Sequence, residues 1–312
     1  MINKEDIITC ESYKDLCDYT YKSNDEPKGG LVHVNMEEVP SFLRAIEGRS
    51  DNYIVVSSCS DFGLCYQREA PVFADLPKWV RMQLTADIGY DGINVAPRCD
   101  LNKCNPTDEY SSKCYAYTAF TFPKFPENIK HWFMTNSSVS PQREPRISVI
   151  PFGVAGNSAD AIAEIAEETR GYEKLPQMYI NWVNYTLERL EIKEYYRLLG
   201  SGDVNIVDNA KPYKDYLRDL ALHATILSPK GNGIDCYRML EALYMGSMPV
   251  VELSQTTAEF ADLPLLIVKT MYGLRAREMF SLYNQVKAQN RSLDKIKLSY
   301  WKNRFEEARN LL

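Results

Sequence analysis

Short apolar runs separated by turn residues characterise the first half of the chain. Four runs have the composition of buried strands, at residues 30–34, 53–58, 132–134 and 147–150. The segments 39–47 and 78–84 between them have helical or mixed spacing. This alternation predicts an α/β layer structure with a parallel sheet.

The second half continues the alternation. Residues 159–169 have helical spacing, and 204–207 form a short strand pattern. A helix is predicted from Pro212, because proline suits the first helical turn. A buried strand at 224–227 follows, and the last forty residues have a helical pattern.

The densest pattern is a strand, glycine loop, helix and strand. The loop spans 228–233, and Asp235 is the expected N-cap of a helix that runs through Met245. Gly246 should end this helix in a left-handed conformation, and residues 249–251 start the next strand. The order of these elements is Rossmann-like.

The chain is long enough for two domains, because single cores stop growing at about 250–300 residues. Residues 151–158 contain proline, two glycines and polar residues directly after a strand, which suits a linker. We therefore expect Rossmann-like domains at 1–152 and 153–290. Residues 291–312 should form a helix that could pack back on either domain, with the first domain as the preferred alternative.

Composition and compartment point to an ordinary globular protein. The chain is 45% hydrophobic and 25% charged, and its first ten residues include acids, unlike a signal peptide. No apolar run is long enough for a membrane span. We expect a soluble, cytoplasmic protein whose eight cysteines are free thiols.

Three cysteines lie close together in sequence and raise the question of zinc. Cys99, Cys104 and Cys114 could bind zinc with His131, but they contain no Cys-x-x-Cys pair and match no standard finger. There is also no Asp-x-Asp at a strand end. No metal is therefore predicted.

Charge is unevenly distributed along the chain. The net charge is −6, whereas residues 269–309 hold ten basic residues against four acidic ones. Such a stretch is usually a solvated helix face, yet it could also contact a polyanion. DNA therefore stays open as a partner.

The glycine loop has the features of a phosphate site. Backbone N–H groups of Gly231 and Gly233 and the following helix end would face an anion, with Lys230 beside them. Arg238 and Glu241 are three residues apart and share a helix face. Arg238 could bind phosphate and Glu241 a sugar diol. The loop matches neither the Walker pattern nor Gly-x-Gly-x-x-Gly. The expected donor-binding residues are Ser228, Lys230, Gly231, Asn232, Gly233, Ile234, Asp235, Arg238 and Glu241.

The segment 228–251 resembles the donor-site signature of exostosin-like glycosyltransferases. Weaker likenesses cover 132–136 together with 146–154, and 56–61. The resemblance implies a GT-B fold, with two Rossmann-like domains facing across a cleft. It places the acceptor mainly on the first domain and the nucleotide-sugar on the second.

The resemblance also implies roles for individual residues. In such enzymes the equivalents of Arg238 and Glu241 contact the diphosphate and the nucleotide ribose, and uridine diphosphate is the commonest carrier. The nucleotide-sugar is a substrate, and no further cofactor is required. One departure is that Ser58 and Cys59 stand where a His-Asn pair is expected.

Several residues are candidates for the catalytic base. Asp61 follows the strand 53–58 and is the preferred candidate, since ligands gather at the carboxyl ends of parallel strands. His33, Asp87 and Asp91 are weaker candidates.

These observations predict a hexosyl- or pentosyltransferase that uses a nucleotide-sugar, with UDP as the expected carrier. Its acceptor would be a hydroxyl on a glycan or small molecule, or on a hydroxymethylated base in phage-type DNA. The alternative is a nucleotide- or glycan-binding module of the same fold without catalysis.

Overall fold

The structure is a computed structural model of the 312-residue chain. It describes residues 2–60, 125–137, 139, 141, 144–182, 186–231 and 233–312, and the backbone of the strands at 63–66, 112–114 and 119–122. The helical pattern at 78–84 lies outside the described residues.

The first sheet consists of five parallel strands, whose order in the sheet is the same as their order along the chain. Its strands are β1 (Tyr19–Tyr21), β2 (Gly30–Val34), β3 (Tyr53–Ser57), β7 (Ile129–Met134) and β8 (Ile147–Val149). Every residue of β3 is buried, as expected for a central strand covered on both faces. The four strand patterns in the first half are therefore confirmed, and β1 is an edge strand that the pattern did not indicate.

A small sheet lies between β3 and β7 in the sequence. Its strands are β4 (Gly63–Tyr66), β5 (Ser112–Cys114) and β6 (Ala119–Phe122). β6 is central, parallel to β4 and antiparallel to β5.

The second sheet also has five parallel strands, but its order reverses once. The order is β10-β9-β11-β12-β13, so the chain starts in β9, moves outward to β10 and returns to the other side. Its strands are β9 (Leu175–Asn181), β10 (Val204–Val207), β11 (His223–Leu227), β12 (Met248–Glu252) and β13 (Leu266–Val268). A reversal of this kind leaves a crevice at the carboxyl ends of the strands on either side of it.

Helices connect the strands and cover the sheets. They are α1 (Val39–Ile46), α2 (Ala159–Glu168), α3 (Leu187–Leu199), α4 (Tyr213–Leu222), α5 (Tyr237–Tyr244), α6 (Gln255–Ala258), α7 (Ala276–Ala288) and α8 (Leu298–Arg309). Two parallel five-stranded sheets with connecting helices confirm the α/β class and two Rossmann-like units.

The helix after the glycine loop has a different N-cap residue from the predicted one, but it ends at the predicted glycine. Its N-cap is Cys236 and not Asp235, so the predicted capping role of Asp235 is wrong. Gly246 has φ +69° and directly follows the C-cap residue Met245. The N–H of Ser247 bonds to the carbonyl of Ala242 at 2.9 Å, which completes the expected left-handed helix end.

The last helix packs against the first sheet. Phe305 lies 4.6 Å from Phe133 and 6.0 Å from Tyr13, measured between ring centroids. Arg309 forms a two-point ion pair with Asp18, at 2.8 and 3.0 Å. These contacts connect the end of the chain to residues before position 152.

Candidate functional site

A pocket of about 510 Å³ opens at the carboxyl edge of the second sheet. Its walls include the residues after β9 and the loop after β11, which are the two strands beside the reversal. This is the place where open α/β sheets bind their ligands. The lining residues are Phe152, Asn181, Trp182, Arg189, Ala210, Lys211, Tyr213, Tyr216, Gly231, Gly233, Asp235, Cys236, Tyr237, Arg238 and Glu241.

Glu241 is a buried carboxylate held by two tyrosines. Its side chain projects from α5, and the residue is 6% exposed. The hydroxyl of Tyr213 donates to Oε1 and that of Tyr216 to Oε2, each at 2.9 Å. Burial raises the pKa of Glu241, while the tyrosines and the charge of Arg238 act in the opposite direction. The carboxylate is thus fixed in one orientation and keeps lone pairs for a further donor.

Arg238 lies one turn earlier on the same helix and faces the same pocket. Its Nε donates to the carbonyl of Asn181 at 3.1 Å. Its guanidinium carbon lies 5.6 Å from the ring centroid of Trp182. The backbone at the end of β9 and the indole therefore hold the guanidinium in place.

Arg189 is a pocket residue that the sequence did not reveal. It lies in the first turn of α3 and is 6% exposed. Its Nε donates to the carbonyl of Lys230 at 2.9 Å and its Nη2 to that of Pro229 at 3.3 Å. Burial, followed by the charge of Arg238, lowers the pKa of Arg189. Two guanidiniums thus line one pocket, and the positive charge of Arg238 disfavours the charged form of Arg189.

The glycine loop differs from the expected phosphate cradle. The N–H of Gly231 bonds to the carbonyl of Gly233 at 3.0 Å, so it closes the loop and does not face the pocket as a free donor. A Cβ at position 231 would lie 2.8 Å from Nη2 of Arg189. A side chain at position 231 would displace the guanidinium of Arg189, so glycine makes room for that arginine.

The remaining loop residues have different surroundings. Ser228 is buried, its N–H bonds to Val250 and its hydroxyl lies 3.4 Å from Sγ of Cys236. Ile234 is half-buried and does not line the pocket. Asn232 lies outside the described residues.

Lys230 is directed to a carboxylate instead of the pocket. Its Nζ lies 3.0 Å from Oε2 of Glu188, and the lysine side chain is 48% exposed. Lys230 is absent from the pocket lining. The charge expected from Lys230 is provided within the pocket by Arg189.

Asp235 joins the two sheets. Its Oδ2 accepts from the N–H of Phe152 at 2.8 Å, and its own N–H donates to Oδ1 of Asn136 at 2.7 Å. Among the described residues Oδ1 of Asp235 has no hydrogen-bond partner. Burial raises its pKa to about 7.

The carboxyl edge of the first sheet carries small polar side chains. Asp61, the candidate base, lies outside the described residues, as do Asp87 and Asp91. His33 is fully buried, and its Nε2 lies 3.0 Å from Oγ of Ser58. Burial lowers the pKa of His33 to about 4, so the imidazole is neutral at pH 7.

Metal-binding side chains occur together at one place in the described part of the chain. Cys10, Glu11 and Cys59 have ligand atoms within 4.8 Å of one another. Of the zinc ligands that the sequence suggested, Cys99 and Cys104 lie outside the described residues and Cys114 is described by its backbone. His131 is bonded to Ser148 at 2.9 Å, and burial lowers its pKa to about 4.

A family match covers the strands and helices that build the pocket. Residues 186–307 match the model of the RXYLT1 C-terminal domain. RXYLT1 is a xylosyltransferase of the exostosin-like glycosyltransferase family. The match confirms the resemblance found in residues 228–251, and it supports a glycosyltransferase-type function. Residues 186–307 are therefore similar to a glycosyltransferase domain of the exostosin-like type.

Two solved structures show remote similarity to the whole chain. An α,α-trehalose-phosphate synthase (UDP-forming) from Burkholderia vietnamiensis has 8% identity and a TM-score of 0.41, and the match covers 97% of this chain and 77% of that one. WaaG, a glycosyltransferase involved in lipopolysaccharide biosynthesis, has 10% identity and a TM-score of 0.32, with coverage of 94% and 93%. No curated protein sequence gives a significant match.

Among the described residues, no helix is both long enough and apolar enough to cross a bilayer.

Proposed function

We propose that the chain transfers a sugar from a nucleotide-sugar, with UDP as the carrier, to a hydroxyl acceptor. The observation that carries this proposal is the pair of guanidiniums, Arg189 and Arg238, in one pocket at the sheet reversal. Their mutual repulsion is relieved when a dianionic diphosphate binds between them. In sugar transfer the same charges stabilise the diphosphate leaving group.

The other pocket residues fit the remainder of a nucleotide. Glu241 keeps lone pairs for a ribose diol, and its two tyrosine donors prevent it from rotating away. Trp182 and the stacked pair Phe152 and Tyr237, at 5.2 Å, offer aromatic surfaces for a base or sugar ring.

Xylose is the first sugar to test, because the matched family model comes from a xylosyltransferase. The choice between pentose and hexose depends on the part of the pocket that holds the sugar. The direct measurement is a panel of radiolabelled nucleotide-sugars incubated with the full chain, with slow donor hydrolysis as the readout. Hydrolysis of UDP-xylose in preference to UDP-hexoses is expected.

The acceptor is expected on the first domain, residues 1–152, facing the donor domain at 153–290. Asp61 remains the proposed base, and a glycan or small-molecule hydroxyl the proposed acceptor. DNA is less favoured, because five of the ten basic residues in 269–309 are already paired with carboxylates. These are Arg275, Lys295, Lys297, Arg304 and Arg309. The cytoplasmic location stays a prediction.

Nucleotide binding can be tested separately from turnover. UDP should raise the melting temperature, because a ligand at a hundredfold excess over its Kd stabilises a protein by about 2.7 kcal/mol. A flat response to all nucleoside diphosphates would contradict the donor site. Binding without hydrolysis or transfer of any donor would support the non-catalytic module instead.

A further inference from the structure

A second cluster of reactive side chains lies at the carboxyl edge of the first sheet. The sulfur atoms of Cys10 and Cys59 and a carboxylate oxygen of Glu11 all lie within 4.8 Å of one another. In a tetrahedral site with bonds of about 2.3 Å, ligand atoms are about 3.8 Å apart. Small side-chain rotations would bring these three atoms to that spacing. We propose that Cys10, Glu11 and Cys59 form a binding site for a thiophilic divalent cation, Zn²⁺.

The backbone places Cys10 and Glu11 at this position. The N–H of Cys10 bonds to the carbonyl of Val154 at 2.9 Å, and the N–H of Val154 bonds to that of Ile8 at 2.9 Å. The N-terminal segment therefore runs beside the residues that follow β8. Two of the three ligands are held by main-chain hydrogen bonds before any metal binds.

Cys59 reaches the cluster from the end of β3 through an unusual backbone conformation. It has φ +62°, in the left-handed region that non-glycine residues rarely occupy. Its thiol donates to the carbonyl of Cys10, and Oγ of Ser58 donates to the same carbonyl at 3.2 Å. Strained backbone of this kind concentrates at functional sites, and here it directs the thiol towards Cys10.

The charges and the accessibility of the cluster suit the ion. Both cysteines are free and half-buried, and Glu11 is exposed, so an ion can enter. Lys14 contacts Oε2 of Glu11, and a carboxylate has a second oxygen that can bind an ion. Each thiol releases its proton to solvent when it becomes a ligand. The three negative charges of two thiolates and one carboxylate exceed the single positive charge of Lys14. Thiolate ligands favour zinc over magnesium or calcium.

Three protein ligands leave the fourth position of a tetrahedral ion open. The hydroxyl of Tyr237, which also lines the donor pocket, lies 3.9 Å from Sγ of Cys10. The proposed ion would therefore lie where the N-terminal segment, the end of β3 and the second domain meet. A bound ion would link Cys10 and Glu11 to Cys59 at the end of β3.

The test is a zinc titration of the metal-free full chain against a chromophoric chelator, with Cys59→Ser, Cys10→Ser and Glu11→Gln variants. Removing a ligand should weaken binding at this site by more than about 100-fold, because loss of an outer partner alone costs about 10–100-fold. The expected result is one zinc ion fewer per chain in each cysteine variant. Cys17→Ser is the matched control, since its thiol bonds to Tyr13 outside the cluster.

A second readout uses the wild-type chain. Bound zinc should slow alkylation of Cys10 and Cys59 and leave Cys17 unchanged, as mapped by mass spectrometry. Glu11→Gln changes an exposed side chain and should not affect folding. Weaker zinc binding in this variant would therefore report on the site itself. Equal zinc stoichiometry in wild type and both cysteine variants, with no protection of the two thiols, would overturn the proposal. Conversion of the pair to a disulfide by oxidised glutathione, without zinc binding, would also overturn it.

Discussion

The two parallel sheets have the same number of strands but different strand orders. The first follows chain order from β1 to β8, whereas the second reverses at β9. The reversal makes the connections after β9 and β11 leave in opposite directions, and the pocket lies between them. Among its described strands the first sheet has no such reversal.

The charges at the two carboxyl edges differ in the same way. The second sheet carries Arg189, Arg238 and a fixed carboxylate at Glu241. The first sheet carries His33, which is neutral at pH 7, beside serine hydroxyls, and the charged groups Glu11 and Lys14 at this edge are paired with each other. We infer that nucleotide affinity belongs to the second sheet, and that substitutions at the two edges should have separable effects.

The largest expected effect comes from Asp235, which links the two edges. Burial raises its pKa to about 7 from the ordinary value of 3.8. Between pH 3.8 and about 7, the carboxyl group of Asp235 is protonated in the folded chain and ionised in the unfolded chain. The free energy of unfolding therefore falls as the pH rises through this range. The contribution is up to about 4 kcal/mol.

Asp235→Asn should remove this pH dependence while keeping an oxygen for the N–H of Phe152. The measurement is urea unfolding of wild type and variant at about pH 5 and about pH 8. Because every other group is common to both proteins, the difference in slope isolates Asp235. Parallel stability profiles would show that its pKa is ordinary.

The next effect concerns the two arginines of the pocket. Arg238→Ala and Arg189→Ala each remove a charged contact to the diphosphate, and such contacts contribute about 1.5–3 kcal/mol. The Kd for UDP should rise about 10–150-fold, measured by calorimetry. Arg197→Ala on the same helix as Arg189 is the control, because Arg197 pairs with Glu194 and Asp208 on the surface. Unchanged affinity in both pocket variants would show that the nucleotide binds elsewhere.

Glu241→Gln should affect both stability and activity. Tyr213 and Tyr216 donate to different oxygens of the carboxylate, and the amide replaces one of these oxygens by an NH2 group, so one hydroxyl loses its acceptor. A buried donor left without a partner costs about 1–3 kcal/mol in chemical unfolding. Transfer should be lost while the fold remains.

Tyr216→Phe separates these effects. It removes one donor and keeps the carboxylate, so it should cost about 1 kcal/mol and retain turnover. If Glu241→Gln and Tyr216→Phe reduce turnover equally, the carboxylate has no role beyond its bonds to the tyrosines.

Structural features that depend only on residues close together in the sequence could be predicted. The strand at 224–227, the loop and the helix end at Gly246 follow from local pattern and turn chemistry, and all three are present. Arg238 and Glu241 share a helix face, so their common position was also predictable. The family resemblance added an expected carrier and expected residue roles, which stay predictions.

Contacts between distant segments could not be read in this way. Arg189 is 41 residues from Lys230, whose carbonyl it binds, and it occurs in an ordinary amphipathic helix. Asp235 has the spacing of an N-cap, yet its partner Phe152 is 83 residues away. Local spacing predicted the helix that contains Asp235's neighbours and the loop before it. Which charged side chains line the pocket depends on tertiary packing.

Lys230 gives the smallest expected effect and the sharpest test of that distinction. Its ion pair with Glu188 is partly exposed, with side-chain accessibilities of 48% and 34%, so breaking it should cost at most about 1 kcal/mol. Because Lys230 does not line the pocket, Lys230→Ala should raise the Kd for UDP no more than about fivefold, in the same calorimetric assay. Glu188→Ala, which frees the lysine, should not weaken binding. If Lys230→Ala instead matches Arg238→Ala, the lysine leaves Glu188 for the diphosphate on binding, and the role that the sequence predicted for it is right.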